Sequence, residues 1–299
     1  NWLGDLVMAT PILTDLRHHW PEAKITTLSQ GALDTVIQED PHIDNHLNFK
    51  RPKGWFSHQM HQDIIDPLKK GGFDLGILMT NSFSSAYWFW RGDVQNRIGY
   101  ATHKRSLLLN HPIPFPPQRE SQHLVITYKM LLEPLGIPVS QTPPKLYLTQ
   151  AEQQTAKNKL ATYYGIHPTD LLIGINPGAA YGSAKCWLPE RFKQLSHHLL
   201  NYPKIKIVFF GDKAGAPLVQ DICTNLPSDR VVDLSAKTTL RELIACIQAC
   251  DLFLTNDSGP MHVASALNVP LIALFGSTSD VTTSPYQGGT VIHKHVPCS

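Results

Sequence analysis

The sequence predicts an α/β protein made of two doubly wound domains, each with a parallel sheet, that face a cleft. Short apolar runs typical of strands alternate with segments of helical period, most clearly in the second half of the chain. The connections between them are short, which favours right-handed crossovers and therefore parallel strands. A chain of 299 residues is long enough for two domains that each have a core.

The second half carries the strongest patterns. Five strands are expected, at 171–176, 206–211, 231–235, 251–256 and 269–276. Three helices are expected between them, at 189–203, 240–250 and 260–268. Ligands of a doubly wound sheet bind outside the carboxyl ends of its strands. The residues that follow strands 171–176 and 251–256 are therefore the first candidates for a site.

The first half repeats this pattern less regularly. A helix is expected over 5–21, with Pro11 tolerated near its start, and a strand follows at 24–29. A second buried strand is expected at 73–79, and a second helix around 121–135.

The Pro-rich stretch 135–150 is the expected linker between two domains, residues 1–145 and residues 146–299. The chain begins inside a motif, without Met, and stops just after an apolar run. We therefore expect a first strand upstream of residue 1 and further sequence beyond residue 299, so that the chain is a fragment.

The composition excludes several classes of protein. The net charge is +2, whereas a dedicated nucleic-acid-binding protein is usually far more basic. No apolar run approaches a membrane span and no signal peptide is visible, so a cytoplasmic location is expected. The five cysteines include no C-x-x-C pair, which disfavours a metal or a disulfide, and the chain has no G-x-G-x-x-G for a nicotinamide. We expect no cofactor.

The turn after strand 251–256 contains Asn256, Asp257, Ser258 and Gly259, and the predicted helix that follows carries His262. One interpretation is a well-capped helix, because Asp and Ser are good N-caps. The other, which we favour, is an anion site in which N–H groups and the positive end of the helix dipole face a phosphate. Asp257 suits a ribose hydroxyl or a base amine, and His262 is either structural or part of the site.

A second candidate loop, NPGAAYGSAKCWLPERF, leaves strand 171–176 at its carboxyl end. Gly178 and Gly182 permit close backbone approach, Tyr181 lies between them, and Lys185 offers a point charge. No G-K-[ST] follows, so this is not a Walker loop. A lone lysine is usually solvated, but its place in a glycine-rich loop at a strand end favours a role in the site.

The first residues, NWLGDLVMATP, contain Gly4 and Asp5 just before a predicted helix. Asp5 is either the N-cap of that helix or a carboxylate that acts across the cleft as a general base. The spacing alone favours neither.

These three stretches resemble the signatures of the ADP-heptose:lipopolysaccharide heptosyltransferases, glycosyltransferase family 9. The matching patterns are N-W-L-G-D-x-V-M-A-T-P, P-G-A-x-Y-G-x-A-K-x-W and N-D-S-G-x-M-H-x-A-x-A-L…F-G-x-T. They stand in the family's order and spacing, over essentially the whole chain, and favour the branch that adds the second heptose. Three positions depart from the family pattern and affect fine donor contacts: Ala180, Leu188 and Val281.

The resemblance implies a GT-B fold, with the acceptor on the first domain and the nucleotide sugar on the second. It implies transfer, with inversion, of L-glycero-D-manno-heptose from ADP-heptose to the first heptose of the lipid A-linked inner core of a Gram-negative bacterium. Asp5 would take the proton of the acceptor hydroxyl. Lys185 and the N–H groups of Ser258 and Gly259 would stabilise the departing diphosphate, and Asp257 would help to hold the ADP.

The other substrate-binding residues are expected in the same motifs: Gly4, Gly178, Tyr181, Gly182, Asn256 and His262. Many nucleotide-sugar transferases hold a divalent cation with an Asp-x-Asp pair. This chain contains no such pair, so no metal is expected.

Residues 94–118 contain no acidic residue but include Arg97, Lys104 and Arg105, and Trp88–Trp90 lie just before them. One interpretation is a solvated basic loop. The other is a face that docks the phosphorylated lipid A of the acceptor, with Arg97 as a binding residue, which makes the enzyme peripheral at the cytoplasmic face of the inner membrane.

Three other functions stay open on the sequence alone. The chain could be another heptosyltransferase of the family. A nucleotide-sugar epimerase-like enzyme would release free sugar or an isomer without an acceptor. An inactive nucleotide-binding protein would bind ADP without turnover.

Overall fold

The structure is a computed structural model that describes residues 2–52, 58–102, 104–180 and 182–294. The chain divides into two units, Met8–Thr142 and a second one that combines Pro143–Ser299 with Trp2–Val7. Every paired strand in the described ranges is parallel to its neighbour. This confirms the predicted α/β class.

The first unit contains most of the elements of the first half of the chain. In order they are α1 (Leu3–His19, of which residues 3–7 belong to the second unit), β1 (Thr26–Gln30), β2 (Asn45–Phe49), α2 (His58–Gly71), β3 (Leu75–Leu78), α3 (Phe83–Arg91), β4 (Asn96–Tyr100), β5 (His111–Ile113) and α4 (Leu124–Lys129). Strand β1 pairs with β2, and β4 lies between β3 and β5. The core packs Ile64, Ile65 and Leu68 of α2 against Trp88 of α3.

Helix α1 differs from its prediction in two ways. It begins at Leu3, so Gly4 and Asp5 lie in its first turn and not before it, and Asp5 is therefore not the N-cap. Pro11 lies in the middle of the helix. An interior proline costs about 3 kcal/mol, and this helix offsets that cost because Val7, Met8 and Ile12 are buried.

The second unit contains the remaining elements. In order they are α5 (Gln150–Tyr164), β6 (Leu171–Asn176), α6 (Pro189–Leu199), β7 (Ile205–Phe209), α7 (Ala216–Cys223), β8 (Val231–Asp233), α8 (Leu240–Gln248), β9 (Leu252–Asn256), α9 (Gly259–Ala266), β10 (Leu271–Phe275), α10 (Asp280–Thr283) and β11 (Thr290–His293). All five strands predicted here are present within a few residues of their expected ends.

The sheet of the second unit has the strand order β11-β10-β9-β6-β7-β8. The chain runs outward from β6 to β8, then returns to β9 on the other side of β6. The order therefore reverses between β6 and β9, and ligands bind at such a switch point. Asn176 and Thr255 pair across this junction, at the carboxyl ends of the two strands.

Several elements were not predicted from the sequence, namely β2, β4, β5, β11, α2, α3, α5, α7 and α10. The segment 94–118, interpreted as a loop, contains β4, β5 and a 3₁₀ turn at Arg105–Leu108. The predicted linker 135–150 is largely irregular, and α5 begins at its last residue with a capping box of Thr149 and Glu152. Within the described ranges, no helix has the length and apolar character needed to cross a membrane.

Candidate active site

Buried polar side chains gather at the carboxyl ends of β6 and β9. Asn176, Thr255, Asn256, Asp257 and His262 are all buried. A buried polar group destabilises the fold unless a partner satisfies it. Their partners therefore show how this part of the second unit is organised.

Asn256 holds both ends of the loop between β6 and α6 with its side chain. Its Nδ2 donates to the carbonyl oxygen of Pro177 at 2.6 Å, and its Oδ1 accepts from the N–H of Trp187 at 3.0 Å. Both ends of the amide are thus occupied, in a side chain with no exposed surface. The sequence predicted Asn256 as a substrate-binding residue. In this structure its side chain positions the loop that carries Lys185, and a role in substrate binding stays a prediction.

Ser258 is the N-cap of α9 by position, but its side chain does not cap the helix. The hydroxyl lies 2.9 Å from Thr255 Oγ1 and accepts from Asn176 Nδ2 at 3.2 Å. Capping therefore does not explain this serine, contrary to the simpler interpretation of the sequence. Ser258 places no capping side chain on the Gly259 N–H at the start of α9, whereas Pro260 has no N–H and the Met261 N–H donates to the Ser258 carbonyl at 3.1 Å.

Lys185 and Asp257 form an ion pair. Their Nζ and Oδ2 atoms lie 2.7 Å apart, and the side chains are 26% and 7% exposed. Lys185 ends a short 3₁₀ turn, Ser183–Lys185, whose Ala184 carbonyl accepts from the Ser277 hydroxyl at 3.0 Å. The interpretation of Lys185 as a solvated lysine is therefore wrong. In this structure the Asp257 carboxylate contacts Lys185, whereas the sequence predicts that it contacts the nucleotide.

The structure requires glycine at only one of the two glycine positions of the middle loop. Gly182 has φ of +101°, a conformation that side chains rarely adopt. A Cβ on Gly178 would meet open space, so no packing inside the protein requires glycine there, and its carbonyl accepts from Asn176 Nδ2 at 2.8 Å. The predicted site residue Tyr181 lies outside the described residues.

The first turn of α1 packs against the first turn of α9. A Cβ on Gly4 would lie 2.8 Å from Cδ2 of His262, and a Cβ on Gly259 would lie 3.1 Å from Cβ of Leu3. Both glycines thus allow a close approach of two helix ends. This contact places Asp5, the residue after Gly4, in the same part of the molecule as the ion pair. The burial of His262 fits its structural interpretation.

Arg97 lies on β4 of the first unit. Its guanidinium donates to the carbonyl oxygens of Leu108 at 2.7 Å and Val94 at 2.5 Å, and burial lowers its pKa. Arg105 is fully buried, donates to the Thr80 carbonyl and has its pKa lowered by burial to about 10. Arg105 therefore cannot belong to an exposed docking face. The Arg97 guanidinium is largely occupied by the backbone carbonyl groups of Leu108 and Val94.

Sequence reasoning missed Asn176 and Thr255 as members of the site. Each lies at or near the end of a predicted strand. The only signal in the sequence is a polar residue at the end of an apolar run. Among the described residues, no group of three or more His, Cys, Asp or Glu side chains could hold a metal ion.

Comparisons with known proteins agree with the motifs. The family model described as glycosyltransferase family 9 (heptosyltransferase) matches residues 62–298. Lipooligosaccharide heptosyltransferase 2 of Haemophilus influenzae is 26% identical over 301 residues, which cover 98% of this chain and 86% of that protein.

Two solved structures share the fold. A glycosyl transferase family 9 protein from Veillonella parvula matches with a TM-score of 0.89 at 26% identity, over 98% of this chain and 84% of that one. The ADP-heptose lipopolysaccharide heptosyltransferase II of E. coli matches with a TM-score of 0.85 at 23% identity, over 100% of this chain and 89% of that one. These matches confirm the expected GT-B fold and the resemblance to heptosyltransferase II that the first motif predicted.

Proposed function

The chain belongs to glycosyltransferase family 9, and from that premise we propose that it transfers L-glycero-D-manno-heptose from ADP-heptose to the first heptose of the lipopolysaccharide inner core. The transfer inverts the anomeric carbon. The acceptor is linked to lipid A, and the enzyme works in the cytoplasm at the face of the inner membrane.

The observation that carries this proposal is the ion pair of Lys185 with Asp257 beside the start of α9. The first turn of that helix offers the Gly259 N–H and the positive end of a helix dipole, and the Ser258 side chain does not cap it. A diphosphate at this point gains the helix end and the Lys185 ammonium together. The open space at Gly178 leaves room for it in the neighbouring loop.

Asp257 gives Lys185 a defined position before the donor arrives. Lys185 Nζ can donate to a phosphate oxygen and to Asp257 at once, because an ammonium has three donors. The ammonium then separates the phosphate from the carboxylate, which would otherwise repel each other. As the sugar–phosphate bond breaks, negative charge grows on the departing ADP, and Lys185 stabilises it.

Asp5 is the proposed general base. It lies in the first turn of α1, next to the Gly4 that packs on His262. A carboxylate there removes the proton of the acceptor hydroxyl as the oxygen attacks the anomeric carbon from the side opposite the ADP. Attack from that side inverts the configuration. No divalent cation takes part in these steps, since Lys185 and the helix end carry the charge.

The test is mass spectrometry of the chain with ADP-heptose and three core acceptors, which carry no heptose, one heptose or two heptoses. We expect the mass of one heptose to be added to the one-heptose acceptor alone, and the anomeric NMR signals of donor and product to differ in configuration. Lys157→Ala, an exposed lysine of α5, serves as the control for Lys185→Ala.

Each of the other outcomes indicates a different function for this chain. Addition to the acceptor without heptose, or to the one with two, indicates another heptosyltransferase of the family. Free sugar or an isomer of the donor indicates an epimerase-like enzyme. ADP binding without any product refutes catalysis altogether.

A further inference from the structure

One surface of the first unit exposes large apolar side chains. Phe83, Tyr87 and Trp90 follow one another at helical spacing on α3, and Phe83 and Trp90 are 38% and 45% exposed. Leu107, in the 3₁₀ turn Arg105–Leu108, is 90% exposed. We refer to Phe83, Tyr87, Trp90 and Leu107 as the aromatic face.

Buried residues beside the aromatic face hold these two elements together. Ala86 of α3 is buried in a cluster with Leu78 and Leu109, and Phe89 and Leu108 pack on the same cluster. The aromatic face is therefore carried by a packed base: Phe83, Trp90 and Leu107 are exposed, and Tyr87 packs partly on the cluster around Trp88. Exposed apolar residues that occur singly need no explanation, but a group on adjoining elements marks an interaction site.

The charge around the aromatic face is positive. Between residues 75 and 119 the chain has five basic residues and one acid, Asp93. Asp93 lies 3.5 Å from Lys69, which balances it. Arg97 and Arg105 are engaged inside the unit, which leaves Arg91, Lys104 and Arg119 as the exposed cations, and Arg119 lies 3.8 Å from Glu120. Arg91 ends α3, with its guanidinium 5.9 Å from the Trp90 ring centre.

We propose that the aromatic face docks on an anionic phospholipid membrane, with Trp90 and Leu107 in the headgroup boundary and Arg91 and Lys104 against lipid phosphates. Tryptophan favours that boundary because it is apolar with one polar edge. Basic residues near an anionic leaflet add attraction that salt screens. The inference rests on the proposed function, because a lipid-linked acceptor lies in such a membrane. The binding itself depends on apolar burial and charge, and not on catalysis.

The experiment measures partition of the full chain onto vesicles by sedimentation. Vesicles of phosphatidylcholine with phosphatidylglycerol are compared with vesicles of phosphatidylcholine alone. We expect binding to the anionic vesicles that weakens in high salt. The double substitution Trp90→Ser with Leu107→Ser lowers the partition coefficient by about tenfold or more, through lost apolar burial. Lys104→Ala lowers it by about fivefold, the contribution of one cation at the surface.

Matched controls come from exposed residues of the second unit. Tyr163→Ser with Tyr202→Ser removes two side chains that are 76% and 66% exposed, and Lys157→Ala removes one exposed lysine of α5. These variants should bind vesicles as the unaltered chain does. Thermal unfolding of all variants confirms that each is folded before its binding is compared.

Three outcomes overturn the proposal: no binding to anionic vesicles, equal binding to neutral ones, or equal losses in control variants. A concentration-dependent dimer that Trp90→Ser with Leu107→Ser abolishes, without vesicle binding, assigns the face to a second copy of the chain instead. Vesicle binding requires no turnover, so a chain that binds vesicles but transfers no heptose refutes only the proposed function. A chain that transfers heptose without binding vesicles refutes only the docking face.

Discussion

Replacing Lys185 by alanine separates two contributions of this side chain. The Lys185 ammonium lies 2.7 Å from the Asp257 carboxylate, which is 7% exposed. Alanine removes a cation from the proposed diphosphate site and leaves the Asp257 charge there without its partner. The first effect weakens transition-state stabilisation, and the second repels the donor in the ground state.

The magnitudes follow from the two interactions. Loss of one preorganised donor to a developing oxyanion costs about 2.7–4 kcal/mol, or about 10²–10³ in kcat. A hydrogen bond to a charged group contributes about 1.5–3 kcal/mol, so KM for ADP-heptose should rise by about tenfold or more. We therefore expect kcat to fall more than KM rises. Lys185→Arg should restore only part of the loss, because its broad fork replaces a compact ammonium.

The assay combines steady-state kinetics with calorimetric binding of ADP. Adding Asp257→Asn to the Lys185→Ala variant removes the unpaired carboxylate, so ADP binding should recover in part, with a coupling energy of about 1–3 kcal/mol. Lys237→Ala is the matched control, since Lys237 pairs with Asp233 at 3.8 Å but is 55% exposed. If Lys185→Ala keeps kcat and KM within about twofold of their original values, Lys185 is not in the site.

Four further outcomes are expected. Asp5→Asn should keep ADP binding and lower kcat by about 10²–10⁴; unfolding with normal activity per folded molecule would make Asp5 structural. Asn256→Asp, which cannot donate to the Pro177 carbonyl, should raise KM and lower kcat together, whereas a change in KM alone would indicate direct donor contact. Activity should survive excess chelator, and a loss that Mg²⁺ restores would contradict this. Hydrogen bonds from Arg241 and from Thr149 lower the pKa of Glu152 to about 2, so thermal unfolding should show stability that is complete above pH ~4.5, is lost as the pH falls towards 2, and is smaller in Arg241→Gln, where the Thr149 hydrogen bonds remain.

Whether a strand or helix can be predicted from the sequence depends on how much of its surface is buried. Strands β6 and β9 are covered on both faces, so they read as apolar runs, and they were predicted. Strand β4, NRIGY, mixes polar and apolar residues in five positions and gives no period to detect. Helix α5 buries only Ala156 and Leu160, so its apolar stripe is too thin to recognise. Its capping box, Thr149 with Glu152, was the available signal.

The candidate site was predictable in its residue types but not in its pairings. Loop position and charge singled out Lys185 and Asp257 separately. Nothing in the sequence pairs them, because they are 72 residues apart and meet only when β6 and β9 become neighbours. The contact between Gly4 and His262 likewise depends on the packing of two helix ends. Local patterns report the chemistry of a residue, whereas its partner depends on the topology of the sheet.

Ser258 shows how the fold turns a capping sequence into an uncapped helix. A serine at this position usually caps, and losing a cap costs about 1 kcal/mol. Here Thr255 and Asn176 hold the Ser258 hydroxyl at the strand ends, so it does not reach the N–H groups of α9. The folded protein therefore keeps a helix end unsatisfied by its own side chains, next to an ammonium that Asp257 holds. We expect a diphosphate bound there to accept from the Gly259 N–H, an interaction that the Ser258 hydroxyl does not make, so that the uncapped helix end adds to the affinity for the proposed donor.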